Sequence, residues 1–190
     1  MKTFLTADWH LGHENIIKFC NRPFASAAEM DEEILSRTNS MVGREDRLII
    51  IGDFTFAPMG VIQNYLSKIK SMHIVFVFGN HDSRHRMSNF LKVHDIFETK
   101  NPTIVCCHYA MAVWNKLHHG AYHAYGHSHG GAEEYLDKVF PDRRSMDVGV
   151  DNINKLLGYY GPISQDKFLE ILSPRKGFWF DGHKSNKVDD

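Results

Sequence analysis

The chain lacks a strong charge of either sign. Lys and Arg total 22 against 23 Asp and Glu, a formal net charge of −1. There is no whole-molecule positive field for collecting nucleic acid, so charge does not indicate such a partner. Long apolar runs are also missing. No stretch approaches the roughly 18–20 apolar residues of a membrane span, and no membrane partner is expected. The amino terminus carries Lys2 but no long apolar run, so no signal peptide is expected. Cysteine is scarce and odd in number: Cys20, Cys106 and Cys107. They read as reduced core thiols of a cytoplasmic protein rather than a disulfide framework. Adjacent Cys106 and Cys107 should point to opposite faces of a strand. Repeats, Gly/Ser linkers and composition breaks are absent. One domain over residues 1–182 is expected, with residues 183–190 as a frayed polar tail.

What remains is a chain of 190 residues, long enough to bury a sizeable core. Strand-like and helix-like stretches alternate along it. Lys2 to Ala7, Arg47 to Ile51, His73 to Phe78, Thr103 to Cys107, Tyr122 to Tyr125 and Ser145 to Val150 read as strands. Ser26-x-x-Glu29 is a capping-box signature opening a helix with Met30, Ile34, Leu35 and Met41 near one face. Val61, Ile62, Tyr65, Leu66 and Ile69 have helical spacing, and Ser164 to Leu172 reads as a helix. Strand then helix, repeated, argues an α/β fold.

Histidine is abundant, with 13 residues, and five of them fall in short motifs. The motifs are "TADWH" with Asp8 and His10, "IIGDF" with Asp53, "FGNHD" with Asn80 and His81, "CCHY" with His108, and "GHSH" with His127 and His129. Several follow an apolar strand-like run, the placement that brings chemistry to the carboxyl ends of buried strands. Each motif alone has an ordinary explanation. Asp8-x-His10 would be a strand-end turn, Gly52-Asp53 a turn signal, and Asn80 a cap. The ordered series is another matter.

D-x-H, G-D, G-N-H-D, H and G-H-x-H, in this order from about Lys2 to His129, resemble the calcineurin-like metallophosphoesterase superfamily. The resemblance implies two packed mixed β-sheets flanked by helices, a four-layer sandwich with metals at one edge. It also implies two divalent ions, Mn first among candidates that include Fe, Zn, Ni, Co and Mg. One ion would be held by Asp8, His10, Asp53 and His129. The other would be held by Asp53, Asn80, His108 and His127. A two-metal site needs one carboxylate that reaches both ions. Asp53, after a Gly at a strand end and without a carboxylate rival nearby, takes that place. Gly126 and Gly130 are expected to let the His127–His129 turn approach the metals.

The chemistry implied is hydrolysis of a phosphoester, with a nucleotide among the candidate substrates, by a metal-bridging hydroxide attacking phosphorus in line. His81 is expected to face the substrate and protonate the leaving alkoxide. Asp82 is expected either to orient His81 or to cap a helix over Ser83 to Phe90. His13, Arg84, Arg86 and His119 are weaker substrate candidates, the arginines for phosphoryl oxygens. Trp9 and Trp114 read as core or as a pocket wall. The stretch "SMDVGVDN" receives no chemical role.

The match departs from the family pattern at one place. Many members have an acid a few residues after the bridging Asp, and here the run is Phe54-Thr55-Phe56-Ala57. "DWHLG" is also similar to the opening motif of the SbcD group of nucleases. Those carry extra DNA-binding domains that a chain of this length cannot contain. A phosphodiesterase is the leading reading. A phosphomonoesterase, a nuclease of that group and a non-catalytic scaffold like the retromer subunit of this fold are the alternatives.

Overall fold

The structure is a computed structural model, and it describes residues 1–177. The expected tail at 183–190 and the expected domain end at 182 lie outside the described residues. Two mixed sheets form the centre. In the first, β1 (Thr3–Thr6), β2 (Arg47–Ile51), β3 (His73–Val77) and β4 (Val93–His94) run parallel, and β9 (Ile163–Ser164) pairs antiparallel with β1. In the second, β6 (Ile104–Cys106), β7 (Tyr122–Tyr125) and β8 (Ser145–Asp147) run parallel, and β5 (Phe97–Glu98) is antiparallel to β6.

Side-chain alternation explains the layers. On β2, Leu48 and Ile50 point to one face, where they join Phe4, Phe76 and residues of α2 (Ala27–Met41) and α3 (Met59–Ser67). Ile49 and Ile51 point to the other face and meet Leu5, Val77, Ile104, Cys106, Ala124 and Met146. The two sheets therefore share a dry inner layer. α6 (Val150–Leu157) and α7 (Gln165–Leu172) add Ile153, Phe168 and Leu172 to it. The outer face of the second sheet is covered more thinly, by Trp114, Leu117 and Ala121 against Val105. Trp9 and Trp114 are both buried, with their indole N–H groups donating to Thr6 and to the Ala121 carbonyl, so they serve the core. No helix among the described residues is long and apolar enough to cross a membrane.

The Ser26 cap forms as expected: its hydroxyl accepts from the Glu29 amide at 3.2 Å, and the Glu29 carboxylate accepts from the Ala25 amide at 2.6 Å. One strand is shorter than its apolar run suggests. β8 stops at Asp147, because the Asp147 carboxylate accepts from the Gly149 amide at 2.7 Å and turns the chain. Val150 then opens α6, with its amide donating to the Ala7 carbonyl at 3.1 Å. Ala7 and Gly149 form a parallel bridge there, so the carboxyl ends of β1 and β8 meet and the two sheets share one edge. The expected ligands collect on that edge.

Candidate metal centre

Five of the seven expected ligands have left-handed backbones: Asp8 (φ 58°), His10 (51°), Asp53 (53°), His127 (69°) and His129 (50°). Asp and His enter this region more readily than most residues. Each still costs about 1–3 kcal/mol unless the surroundings fix it, and such clustering is typical of functional sites. The left-handed turns end the strand direction and aim consecutive side chains into one space.

Glycines clear that space. A Cβ on Gly79 would lie 2.3 Å from Asp53 Oδ1 and 2.4 Å from the Asp53 amide nitrogen. One on Gly126 would lie 2.6 Å from Asp8 Oδ2. Gly126 thus lets the His127 turn close on Asp8. Gly130 instead abuts Asn152, and its own amide donates to Asp147 at 2.9 Å.

The side chains form two groups. Ligand atoms of Asp8, His10 and His129 lie within 4.8 Å of one another, and so do those of Asp53, His108 and His127. Asn80 Oδ1 joins the second group, 3.1 Å from His108 Nε2. Asp53 connects the two groups: its Oδ2 is 3.6 Å from His10 Nε2 and 3.3 Å from His108 Nε2. The backbone supports this set. The Asp8 carboxylate accepts from the His127 amide at 3.0 and 2.9 Å, and Asp53 Oδ1 accepts from the His81 amide at 2.9 Å.

Two observations show that the donors suit cations. Both ring nitrogens of His10 are buried without a hydrogen-bond partner, which is costly for neutral imidazole unless an ion takes a lone pair. The Asp8 carboxyl is pushed up to about 8, first by burial and then by the nearby Asp147 carboxylate. Positive charge beside Asp8 removes that penalty. Burial also lowers His10 to about 3, leaving its imidazole neutral and able to ligate.

Three residues without an assigned role in the sequence support the first group. Asp151 accepts from His129 Nδ1 at 2.6 Å, which fixes the orientation of that ring. Arg22, 3% exposed, donates to both Asp151 oxygens at 2.8 Å. Its remaining N–H groups reach the carbonyls of Asp8 at 2.7 Å and Trp9 at 3.0 Å. One guanidinium therefore braces Asp8, His10 and His129 together. Asp147, in "SMDVGVDN", accepts from the Ser128 hydroxyl and the Gly130 amide and shapes the His129 turn. Cys20 is the thiol beside His129 and Asp151. Cys106 is buried in the sheet core, and burial pushes its thiol up, so neither Cys106 nor Cys107 joins a ligand group among the described residues.

Other expectations change. Asp82 neither orients His81 nor caps the next helix. Its buried carboxylate accepts from the amides of Asp53 (2.8 Å), Phe54 (2.9 Å) and Gly79 (3.0 Å), and so ties the Asp53 turn to the Gly79 turn. The cap of α4 (Arg84–Met87) is Ser83. Arg84 pairs with Asp95 and lies over the Phe78 ring, and Arg86 donates to the Phe56 and Ala57 carbonyls. Arg84 is thus engaged beyond β4, and Arg86 braces the loop that follows Asp53. His119 sits on a 3₁₀ turn, Leu117–His119, whose Leu117 packs on the outside of the second sheet, away from the ligand groups. His13 does lie at the site, its ring centroid 5.8 Å from His10 and 4.7 Å from Phe56. The exposed His81 ring is 5.6 Å from His10.

A two-sheet α/β sandwich with histidines and carboxylates gathered at one edge defines a metallophosphoesterase architecture. The family model described as calcineurin-like phosphoesterase matches residues 1–184, and the chain belongs to that family. Its members hydrolyse phosphoester bonds with divalent metal, and that general activity is this protein's. Similarity to known proteins adds no substrate. An uncharacterized protein of Methanocaldococcus jannaschii is 27% identical over 176 residues, covering 92% of this chain and 93% of its own. A crystal structure of a protein of unknown function from Aquifex aeolicus superposes with a TM-score of 0.69 at 21% identity, over 90% of this chain and 98% of that one. The latter similarity supports the fold alone.

Proposed function

We propose that the protein is a binuclear phosphodiesterase, with Mn the first metal to test and the cytoplasm, where its three thiols stay reduced, its location. The observation that carries the binuclear reading is Asp53 Oδ2, set 3.6 Å from His10 Nε2 and 3.3 Å from His108 Nε2. Asp8, His10, Asp53 and His129 would hold one ion, and Asp53, Asn80, His108 and His127 the other. Divalent ions held there would supply neutralising charge for the phosphoryl oxygens and a more acidic water as nucleophile.

The chain's own residues do the rest. His81 has its backbone fixed by the Asp53 carboxylate and its ring exposed beside the ligands, which suits a proton donor to the leaving oxygen. Asp82 and Arg22 hold the loops so that the donors need no reorganisation.

Diester preference rests on the cations. Arg22 is bound by Asp151 and two carbonyls, Arg84 by Asp95, and Arg86 by loop carbonyls. All three have partners of their own, which argues against a dedicated clamp for the dianionic end of a monoester. The expected result is a higher kcat/KM on bis-nitrophenyl phosphate than on nitrophenyl phosphate, with Mn, Mg, Ni and Zn each tried. A clear monoester preference would overturn the diester reading.

A further inference from the structure

Phe56 stands on the short loop after Asp53. Its side chain is 41% exposed although it is large and apolar. The ring is not loose. Its centroid lies 4.7 Å from His81, 4.7 Å from His13 and 5.8 Å from His10, nearly parallel to the last at 26°. The loop beneath it is braced from two sides. The Thr55 hydroxyl donates to the Leu11 carbonyl at 2.7 Å and accepts from the Ala57 amide at 3.0 Å. Arg86 donates to the Ala57 carbonyl at 2.9 Å. Tyr109, 48% exposed, repeats the arrangement on the other ligand group, 4.7 Å from His127 and 5.3 Å from His108. Flat apolar faces are thus held open to water beside both groups of ligands.

A planar ring on the substrate is the chemical match for such a face. Stacking of a base on an aromatic side chain strengthens binding by about 5- to 150-fold, equivalent to ~1–3 kcal/mol. A bare sugar or alkyl arm has no comparable contact. His81 neighbours both Phe56 and His10, so an ester arm whose oxygen reaches His81 continues over Phe56.

We propose that the substrate is a phosphodiester whose leaving arm is a nucleoside, with its base stacked on Phe56. This rests on the phosphodiesterase reading above. Water oxygen bonds to phosphorus, the bond from phosphorus to the nucleoside oxygen breaks, and that oxygen takes a proton from His81. The products are a nucleoside and a phosphomonoester. His81 then recovers a proton from the water consumed.

The test uses two diesters that share the methyl arm and leave through the same kind of oxygen, a deoxyribose 5′-alkoxide. One is thymidine 5′-(methyl phosphate), and the other is its abasic counterpart with methoxy in place of thymine. The expected ratio of kcat/KM is about 5- to 150-fold in favour of thymidine. It should fall to about one in Phe56→Ala and persist in Phe56→Trp. A wild-type ratio near one, or a ratio unchanged in Phe56→Ala, overturns the proposal. If neither ester nor bis-nitrophenyl phosphate is hydrolysed with any metal, the phosphodiesterase reading is what fails. Stacking is then read directly from broadening of the thymine signals of thymidine 5′-monophosphate in NMR. Broadening that is lost in Phe56→Ala supports the aromatic site, and absence of broadening with the wild type overturns it.

Discussion

Replacing Asp151 by Asn should separate the two ion sites. The carboxylate accepts from His129 Nδ1 at 2.6 Å and from Arg22 Nε and Nη2 at 2.8 Å each. All three partners are donors, and a carboxylate, with two acceptor oxygens, satisfies them all. An amide has one acceptor oxygen and one NH₂. If its oxygen faces His129, its NH₂ meets the guanidinium, and the reverse rotation sets NH₂ against the imidazole N–H. One interaction is lost either way. Loss at His129 frees the ring to turn or change tautomer, and loss of such a partner typically weakens metal binding 10- to 100-fold. Loss at Arg22 leaves a buried cation unpaired, a destabilisation of about 3–5 kcal/mol. Calorimetric titration with Mn should show one class of site weakened 10- to 100-fold, with the class formed by Asp53, Asn80, His108 and His127 changed less than about threefold. Urea denaturation on the same samples reads the stability loss. Equal weakening at both sites, or none, would refute the argument that Asp151 supports only the group of Asp8, His10 and His129.

Three further outcomes are expected. Asp53→Asn should weaken both ions because it removes the charge of the carboxylate set between His10 Nε2 and His108 Nε2, whereas His10→Ala and His108→Ala should each deplete mainly one; metal analysis of the purified variants distinguishes these patterns. His81→Ala should retain both ions but lose about 10²–10⁴ in kcat on esters with poor leaving groups, and far less on nitrophenyl esters; an equal loss on both would remove His81 from the acid role. The third concerns acid stability. His123 is fully buried, donates from Nδ1 to the Val105 carbonyl, and accepts at Nε2 from the Met111 amide, and burial lowers it to about 4. The unfolded chain binds this proton below about 6.5 while the folded chain refuses it until about 4. Stability should therefore fall as pH drops from 6.5 to 4, by up to ~3 kcal/mol from this group. Denaturation midpoints across that range should show a flatter slope in His123→Gln, and an unchanged slope would rule His123 out.

The motifs whose side chains gather in the two groups were legible because most lie at a strand end beside a small residue, a local pattern that survives in one dimension. The brace behind them was not. Arg22 and Asp151 are 129 positions apart, and only the meeting of β1 with β8 makes them neighbours. "SMDVGVDN" read as a plain strand because Met146, Val148 and Val150 alternate, and the turn depends on where the Asp147 side chain bonds. Arg84 and Arg86 show the reverse error. They are close in sequence to Asn80 and His81, but Arg84 is drawn to Asp95 and Arg86 to the carbonyls of Phe56 and Ala57. β4, β5 and β9 have two residues each, too few to carry a period.

The left-handed ligand turns also limit how this site can change over evolutionary time. Asp, Asn and His are among the few side chains that accept such a backbone, and they are also competent oxygen and nitrogen donors. Cys and Glu, the exchanges that would most alter metal preference, are poorly suited to positions 8, 10, 53, 127 and 129 on conformational grounds alone. Divergence toward another metal or substrate therefore has an easier route through neighbours free of that constraint. Asp151 can change how His129 donates, and Phe56 can change what lies over the centre. The candidate ligands are held by their backbone geometry, and novelty is left to the residues around them.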